Sequence, residues 1–469
     1  MSVDEFDLAI IGAGAGGLMA ADFAVKLGAR VALIEKNRIG GDCTWIGCVP
    51  SKSLVKAAKV AHDVGKAGRF GIRADQPVAD MARVRDYIQG TIHEIYQSHT
   101  PEALRAKGID VALGPGRFVD PSTISAGERR LRAKKIIITT GAHPKIPEID
   151  GLENVPFVTY ERIFDNDRLP PSMIVVGGGP LGLEIAQSYQ RLGSQVTVVT
   201  EDVLPKDEPD ARKVIEDVLQ REGVRFVSGR VRSARRDGAQ IVVSTGTEEA
   251  RGDLLLVASG RAPVVADLDL EKAGVNFSQA GIPVDSFLRT NVKHVYAAGD
   301  VLGGYQFSHL AGWQAFLAAR NALIPGNSTG LTDLVPWVTF TDPEVAHVGL
   351  TEEQARKSFG DGIRVGRLAM KQIDRAVCED DRDGFIKIVA KKNDVIVGAT
   401  VVGSRAGEII TEFILAVEWR KKVADLASPI HAYPAYSNAA QQLAAKMTVA
   451  RNFSGFSGDV IRWLSKAIR

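Results

Sequence analysis

A glycine pattern that occurs twice constrains the fold of this 469-residue chain more than any other feature. The pattern Gly-x-Gly-x-x-Gly places glycine where a strand turns sharply into a helix, so that a pyrophosphate can approach the helix N-terminus. The first copy is Gly12, Gly14 and Gly17, and the second is Gly177, Gly179 and Gly182. Each glycine of the second copy lies 165 residues after its counterpart. The repeat therefore predicts two separate dinucleotide-binding sites.

The end of the strand that follows each copy holds the residue that would contact the ribose of a dinucleotide. In the first copy the strand ends at Glu35, which is placed to accept hydrogen bonds from a ribose. In the second copy the matching slot holds Thr200, and the acid follows as Glu201. A carboxylate there repels a 2′-phosphate, and no arginine stands beside it. We therefore expect NADH rather than NADPH.

Two later segments repeat a strand followed by a glycine turn. Residues 131–147 contain Gly141 and residues 252–263 contain Gly260, and each follows one copy of the glycine pattern. Such segments are typical of the exit from a nucleotide-binding sheet, although two ordinary buried strands would explain either one alone. A third short strand ends at Asp300, whose carboxylate can accept hydrogen bonds from a polyol.

A cysteine pair in the segment GGDCTWIGCVPSK, residues 40–52, is the candidate reaction centre. Cys43 and Cys48 are two of only three cysteines in the chain. We expect the segment to turn from a loop into a helix at Cys48, where the helix dipole and Lys52 would favour a thiolate. A pair of buried structural thiols is one alternative. Half of a metal site is another, but the third cysteine and eight histidines lack zinc-type spacing.

Composition excludes several other classes. The length suggests about three domains, and a net charge of +2 with scattered basic residues gives no indication of nucleic-acid binding. Three cysteines favour a reducing compartment, and neither a signal peptide nor an apolar run of membrane-spanning length is evident. We therefore expect a cytoplasmic protein.

The last part of the chain predicts an α+β domain of the kind that forms subunit interfaces. The final residues, 459–469, form an amphipathic pattern in which Val460, Leu464 and Ile468 share one face. Docking of this helix on its own domain is the favoured interpretation, and contact with a membrane surface is the alternative.

Taken together, these motifs resemble the flavin-dependent pyridine nucleotide-disulfide oxidoreductases, which include dihydrolipoamide dehydrogenase, glutathione reductase and mercuric reductase. The resemblance also includes TNVKHVYAAGD (290–300) and WVTFTDPEVAHVGLT in the last domain. It implies an α/β fold with two Rossmann-like domains and a C-terminal α+β dimerisation domain. The FAD-binding domain would be residues 1–150 and 285–335, the NAD(P)-binding domain 151–284, and the dimerisation domain 336–469.

The resemblance also assigns roles. Gly12, Gly14, Gly17, Glu35, Lys52, Gly141 and Asp300 would bind FAD, with Asp300 on the ribityl chain, and Gly177, Gly179, Gly182, Glu201 and Gly260 would bind NAD(P). Cys48 would face the flavin and Cys43 would exchange with substrate. Lys52 would pair with Glu184 near the flavin N5. The active site would be shared between the two subunits of a homodimer, and no metal would be bound as a cofactor.

One part of the chain departs from the family pattern. Disulfide reductases of the family carry a His-Pro pair with a glutamate five residues past the histidine, and that histidine shuttles a proton. This chain has Tyr433 before Pro434, and Asn438 in the glutamate position. Tyrosine is a poor base near neutral pH, and we expect His431 to lack an orienting carboxylate. Mercuric reductases have tyrosine at the shuttle position but also a C-terminal cysteine pair, which is absent here.

Three functions remain open at this point. The leading one is an NAD(P)H:disulfide oxidoreductase of the dihydrolipoamide dehydrogenase type, using Cys43, Cys48, Lys52, Glu184 and Tyr433. The first alternative is a reductase of metal ions, mercuric ion first. The second alternative is a redox-sensing flavoprotein with little turnover. The acceptor would accordingly be a small disulfide, a dithiol or a metal ion.

Overall fold

The computed structural model of the chain describes residues 3–453 and 455–468. The residues separate into two compact units. The first unit contains residues 1–201 and 225–332, and the second contains residues 202–224 and 333–469. No helix within the described ranges is both long and apolar enough to cross a lipid bilayer.

The first unit begins with a sheet whose strands come from both ends of that unit. Residues 3–150 form, in chain order, β1 (Val3–Ile11), α1 (Ala15–Lys26), β2 (Val31–Glu35), α2 (Gly41–Trp45), α3 (Cys48–Gly65), α4 (Met81–Tyr96), α5 (Pro101–Ala106), β3 (Ile109–Leu113), β4 (Gly116–Asp120), β5 (Thr123–Ala126), β6 (Arg129–Ile138) and β7 (Ala142–Pro144). The helical region between residues 81 and 106 is interrupted before Pro101. Proline has no amide hydrogen to bond to the preceding turn, so it begins a new helix instead of extending the previous one.

The second part of the first unit repeats the strand–glycine–helix arrangement. Residues 172–323 form β8 (Ser172–Val176), α6 (Pro180–Leu192), β9 (Gln195–Thr200), α7 (Pro209–Arg221), β10 (Arg225–Ser228), β11 (Ser233–Asp237), β12 (Gln240–Ser244), β13 (Glu249–Gly252), β14 (Leu254–Val257), β15 (Arg261–Pro263), α8 (Leu270–Ala273), β16 (Val295–Ala297) and α9 (Ser308–Leu323). Of these elements, α7 belongs to the second unit.

Two sheets place the glycine turns at the carboxyl ends of their parallel strands, and the first sheet also contains the antiparallel pairs β4–β5 and β5–β6. The first sheet has the order β3-β2-β1-β6-β5-β4, with β16 also paired to β6, and β1, β2, β3, β6 and β16 run parallel. The second has the order β10-β9-β8-β14 and is parallel throughout. Ligands of open parallel sheets bind beyond the carboxyl ends of the strands. The order of strands therefore collects the motif residues at one edge of each sheet.

Helices α1 and α9 pack together against the first sheet. Their buried contact surface consists largely of alanine, which allows two helices to approach closely: the residues are Ala20, Ala21, Ala24, Ala315, Ala318 and Ala319. Helix α9 therefore returns the chain to the first sheet over residues Ser308–Leu323.

The two glycine turns have the same stereochemistry. Gly12 and Gly177 have φ values of +104° and +119°, in the region that favours glycine. A Cβ at Gly12 would lie 2.4 Å from the carbonyl oxygen of Thr139, and one at Gly177 would lie 2.4 Å from that of Ala258. Each first glycine is therefore fixed by its conformation and by the neighbouring strand end.

We expect Gly177→Ala to lower the free energy of unfolding by about 1–3 kcal/mol, because it forces a side chain into a left-handed conformation against a backbone oxygen. Gly179→Ala is the matched control, since Gly179 has φ −76° and a Cβ there meets no atom within 4 Å. Chemical denaturation of both variants measures the difference. Equal unfolding midpoints for the two variants would contradict the assigned turn geometry.

The second unit is built on an antiparallel sheet. Its elements after residue 333 are β17 (Trp337–Thr339), β18 (Glu344–Gly349), α10 (Glu352–Phe359), β19 (Ile363–Ala369), α11 (Asp374–Cys378), β20 (Phe385–Lys391), β21 (Ile396–Gly403), α12 (Ala406–Glu418), α13 (Val423–Ala427), α14 (Asn438–Asn452) and α15 (Gly455–Ile468). The strand order is β17-β18-β21-β20-β19. Helices α12 and α14 cover a continuous apolar core that includes Ile388, Val401 and Phe413.

Segment 202–224 joins the second unit through a buried ion cluster. Lys387, in the middle of the apolar strand β20, is 7% exposed. Its Nζ lies 3.3 Å from Glu208, 2.9 Å from Asp210 and 3.5 Å from Glu352. A buried ammonium needs such partners. The carboxylates of Glu208 and Asp210 therefore attach the start of α7 to this sheet.

Helix α15 does not dock on its own unit in the way we expected. Val460, Leu464 and Ile468 are 37%, 47% and 87% exposed, and Trp463 is 68% exposed. The expectation was wrong because an amphipathic pattern specifies which face is apolar without specifying what covers it. Arg469, the last residue of the predicted amphipathic segment, lies outside the described residues.

Candidate active site

The cysteine segment lies against the first glycine turn. The Gly40 amide donates to the Ala13 carbonyl at 2.8 Å. A Cβ at Gly41 would lie 2.7 Å from the Cα of Gly14, so only glycine permits this backbone approach. Cys43 lies on the short helix α2 rather than on a loop as we had expected, whereas the longer helix begins at Cys48 as predicted.

The two thiols are close to each other and to a hydroxyl that the sequence did not single out. Cys43 is half-buried, and Cys48 is exposed at the N-terminus of α3. The Sγ of Cys48 lies 3.7 Å from the Oγ of Ser308, the first residue of α9. No short sequence motif connects residues 48 and 308, so this contact depends on the tertiary fold.

The electrostatics assign different protonation states to the two thiols. The pKa of Cys48 is lowered to about 6, first by the hydrogen bond from Cys43 and then by the charge of Lys52 and by Ser308, with burial opposing. The pKa of Cys43 is raised because its thiol donates to Cys48 and because it is buried. At neutral pH the reduced pair therefore consists of a Cys48 thiolate beside a Cys43 thiol.

The ion pair expected between Lys52 and Glu184 is present. The Nζ of Lys52 lies 2.8 Å from Oε2 of Glu184. The glutamate side chain is only 3% exposed and the lysine side chain is 36% exposed. Lys52 is on α3 and Glu184 is on α6, and these helices pack together. The pair therefore joins the cysteine helix to the helix of the second glycine repeat.

A second ion cluster near the cysteines was missed by the sequence analysis. Arg261 contacts the carboxylates of Asp42 and Asp300 and the hydroxyl of Tyr160. Asp42 directly precedes Cys43, and Asp300 is the residue expected to hold a ribityl chain. The only signal in the sequence was an arginine in the segment GRAP after the glycine at 260, which by itself does not identify its partners.

The first set of motif residues forms a cradle that fits a dinucleotide. Glu35 accepts hydrogen bonds from the amides of Ala13 and Asn37, both at 2.8 Å, which fixes its carboxylate beside the glycine turn. Gly17 approaches Gly12 so closely that a Cβ would lie 1.9 Å from the Gly12 oxygen. Gly141 has φ +75° and follows the end of β6. The open backbone turn at the start of α1 provides the amides that a pyrophosphate requires.

The second cradle repeats the first with one substitution. Thr200 occupies the position of Glu35, and its hydroxyl accepts a hydrogen bond from the Gly178 amide at 3.0 Å. A Cβ at Gly182 would lie 2.4 Å from the Gly177 oxygen, and Gly260 has φ +119°. Glu201 is exposed, one residue beyond the strand. The cradle thus has the shape for a second dinucleotide, with a carboxylate near its rim.

Tyr433, in the position of the family's proton shuttle, is 69% exposed in the second unit. Its hydroxyl donates to Oδ2 of Asp374 at 2.7 Å. This hydrogen bond and the charge of Asp374 raise the pKa of Tyr433 above its usual value. The hydroxyl is therefore protonated at neutral pH and is a poor base.

The expectation that His431 lacks an orienting carboxylate was wrong. Its Nε2 lies 2.9 Å from Oε1 of Glu412 on α12, and its Nδ1 lies 3.1 Å from the Pro429 carbonyl oxygen. The glutamate is 19 residues upstream, so the local pattern around His431 could not reveal it. Asn438 instead begins α14 and bonds to Gln441 and Gln442.

The fold and the site define a class of protein: two dinucleotide cradles and a thiol pair in one chain. The chain belongs to the pyridine nucleotide-disulphide oxidoreductase family. Residues 6–315 match the model of that family, and residues 335–444 match its dimerisation domain. It is therefore an FAD-dependent oxidoreductase that acts on sulfur groups with a pyridine nucleotide as partner, and FAD is the group that the first cradle fits.

Relatives with different activities are similar to the chain at nearly the same level. The dihydrolipoyl dehydrogenase of Haloferax volcanii is 34% identical over 93% of this chain and 95% of its own length. The mercuric reductase of Streptomyces lividans is 33% identical over 94% of this chain and 96% of its own length. A Cu(II) complex of the HOCl-induced flavoprotein disulfide reductase RclA from Escherichia coli matches with a TM-score of 0.86 and 28% identity, covering 95% of this chain and all of that chain.

The thiolate-to-flavin absorption of the two-electron-reduced enzyme should titrate with a midpoint near the pKa of Cys48, about 6. The band requires the thiolate, so it should be present above this pH and lost below it. Lys52→Met removes a charge that lowers the pKa and should raise the midpoint. Cys43→Ala cannot form the disulfide, so its band is read in the oxidised enzyme; its midpoint should rise most, because the largest cause of the lowered pKa is gone. Lys56→Met, on the exposed side of the helix that carries Lys52, is the control and should not shift the midpoint.

Proposed function

We propose that electrons pass from NADH through FAD to the Cys43–Cys48 disulfide, and from the reduced cysteine pair to an acceptor. Bound FAD would accept a hydride equivalent from the nicotinamide and return two electrons to the disulfide. Gly12, Gly14, Gly17, Glu35, Gly141 and Asp300 would hold FAD, and Gly177, Gly179, Gly182 and Gly260 would hold the pyridine nucleotide.

The lowered pKa of Cys48, together with the Lys52–Glu184 pair beside it, is the observation that carries this proposal. A thiolate at a helix N-terminus near a paired lysine is the form that transfers electrons and binds soft electrophiles. Glu184 pairs with Lys52, and the charge of Lys52 helps to lower the pKa of the Cys48 thiol. Structural thiols would have no need of this arrangement.

The chain would act as a homodimer whose subunits share each active site. The second unit exposes several large apolar side chains, including Leu415 at 42%, Trp419 at 63% and Ile430 at 99%. A group of this kind is typical of a surface that another protein covers. In such a dimer, residues near Tyr433 would approach the cysteine pair of the partner.

We propose a thiophilic metal ion as the preferred acceptor. The hydroxyl of Tyr433 donates a hydrogen bond to Asp374 and has a raised pKa, so it does not supply the base that dithiol oxidation needs. A divalent ion such as Hg(II) would bind both sulfurs and displace the Cys43 proton to solvent. The ion would then take two electrons as the two sulfurs close to the disulfide, and no base at residue 433 is needed. The names of several relatives agree with this acceptor.

A disulfide acceptor of the dihydrolipoamide type is the second candidate. The His431–Glu412 pair favours it, because a histidine oriented by a carboxylate can donate a proton to a leaving thiolate. In this version His431, two residues before the usual position, would replace Tyr433 as the proton shuttle. The two candidates therefore depend on different residues of the same segment.

Steady-state NADH oxidation with Hg(II) and excess thiol should proceed well above the oxygen background, and lipoamide or glutathione disulfide should give a much lower rate. Cys43→Ser should abolish the Hg(II) rate, whichever acceptor is the physiological one. A fast lipoamide rate with no Hg(II) response would overturn the metal-ion assignment. Single-turnover flavin reduction without any cycling acceptor would instead indicate a redox sensor.

Two variants separate the candidate proton shuttles. His431→Gln should leave the rate of Hg(II) reduction nearly unchanged. If a disulfide is the substrate, the same variant should lower the rate of disulfide reduction by about 100-fold, the usual contribution of a general acid. Tyr433→His should raise the disulfide rate while leaving the Hg(II) rate within a few-fold. Tyr433→Phe controls for the loss of the Asp374 hydrogen bond alone. If His431→Gln changes the Hg(II) rate and the disulfide rate by the same factor, His431 does not act as a proton shuttle specific to disulfides, and the proposed division of roles is wrong.

NADH should be the better electron donor, because Glu201 would repel the 2′-phosphate of NADPH. Glu201→Arg should move the ratio of kcat/KM values toward NADPH by about tenfold or more, since it replaces repulsion by attraction. Glu128→Arg, at an exposed turn of the same unit, makes the same charge change away from the second cradle. A wild-type preference for NADPH would contradict the role proposed for Glu201.

A further inference from the structure

Arg261 occupies a buried position between two carboxylates and a tyrosine. Its Nη2 contacts Asp42 and its Nη1 lies 2.8 Å from Oδ2 of Asp300. Its Nε donates to the Tyr160 hydroxyl at 3.2 Å, and its guanidinium carbon lies 5.5 Å from the centre of that ring. The side chain of Arg261 is 26% exposed and that of Asp300 is 12% exposed. One guanidinium group therefore uses its fork of donors on three partners.

The backbone around Arg261 is fixed independently of these partners. Arg261 begins β15, which pairs in antiparallel fashion with β7. The carbonyl of the preceding Gly260 accepts from the Lys145 amide at 3.0 Å, and the Val264 amide donates to Gly141 at 3.0 Å. The guanidinium thus projects from a strand that is tied to the end of the first sheet, and it can serve as a fixed anchor.

Asp42 connects this anchor to the cysteine pair. It is the second residue of α2, a helix of only five residues, and it directly precedes Cys43. The residue before α2, Gly40, is left-handed and has no side chain to cap the helix. So short a helix is not stable alone, and its position depends on tertiary contacts. Those contacts include the Gly40–Ala13 hydrogen bond, the packing of Trp45 on Tyr96 with ring centroids 4.9 Å apart, and Asp42 with Arg261.

The charges at this cluster depend on Arg261. Burial raises the pKa of Asp42 and of Asp300, and the arginine opposes that effect at both. The other groups that face Asp42 are Lys36 and the Tyr160 hydroxyl, while Asp300 faces Asp42 as a like charge. Removing the guanidinium would leave the largely buried carboxylate of Asp300 near the partly exposed carboxylate of Asp42, without the cation that offsets both charges.

We propose that Arg261 is a positioning residue of the redox site, which holds the Cys43 helix through Asp42 and pairs the flavin-binding carboxylate of Asp300 with the same guanidinium group. Cys43 donates the hydrogen bond that most stabilises the Cys48 thiolate. A shift of α2 moves the Cys43 thiol away from Cys48, so the reduced pair loses stability relative to the disulfide. Arg261 thereby sets how easily the disulfide is reduced, although it touches neither sulfur.

The test measures the equilibrium between disulfide and dithiol in the FAD-loaded enzyme against a thiol buffer, read by acid quenching and mass spectrometry. Arg261→Gln and Asp42→Asn should each shift the equilibrium about fivefold toward the disulfide, the factor that one lost hydrogen bond gives. The double variant should shift no further than either single one, because both break the same contact. Arg261→Lys keeps the charge and should recover part of the effect.

Arg129→Gln is the matched control. Arg129 also bridges two carboxylates in the same unit, Asp4 at 2.9 Å and Asp110 at 2.7 Å, and its side chain is 37% exposed. It should leave the thiol equilibrium at the wild-type value. Asp42→Asn keeps the test decisive if Arg261→Gln does not fold or loses FAD, because the Arg261–Asp300 pair remains.

The inference rests on the proposed electron path, and its failure is distinguishable from the failure of that path. A wild-type disulfide that cannot be reduced by NADH would overturn the path. A wild-type enzyme that is reduced normally, with Arg261→Gln and Asp42→Asn unchanged in their thiol equilibrium, would overturn the positioning role alone. Additive shifts in the double variant would also overturn it, since they would mean that Arg261 and Asp42 act separately.

Discussion

The ion pair between Lys52 and Glu184 is the interaction on which the organisation of the first unit depends. A glutamate that is 3% exposed is costly to bury unless a cation reaches it. The cation comes from α3, one turn after Cys48, and the glutamate comes from α6, immediately after the second glycine turn. The requirement to neutralise one carboxylate therefore places the cysteine helix beside the second cradle, and in the proposed electron path this brings the pyridine nucleotide and the cysteine pair to one region.

The two cradles solve the same steric problem and differ in their chemistry. In each, the first glycine faces a carbonyl oxygen of the neighbouring strand at the same 2.4 Å from a hypothetical Cβ. The first cradle fixes its turn with the carboxylate of Glu35, whereas the second uses the hydroxyl of Thr200. Thr200 can satisfy the same amide without adding a charge, which leaves Glu201 outside the turn and exposed.

Patterns with local causes were predictable from the sequence. The glycine repeat and the helix start at Cys48 each follow from spacing or from a motif. The Lys52–Glu184 pair, whose partners are 132 residues apart, was expected only from the family resemblance. Features with distant partners were not predictable. Glu412 reaches His431 across 19 residues, and Ser308 reaches Cys48 across 260 residues. Arg261 was visible as a residue, but its three partners come from separate segments that only the folded chain assembles.

The attachment of segment 202–224 to the second unit limits how the chain can be divided. This segment lies within the sequence of the second nucleotide-binding region, yet Glu208 and Asp210 neutralise Lys387 inside an apolar strand of the C-terminal sheet. If the region 151–284 were exchanged with that of a relative, the new segment would have to supply two acids at the same places, or Lys387 would be buried with one partner. A chimaera that respects only the linear boundaries would therefore leave Lys387 buried with Glu352 as the one remaining carboxylate of the three.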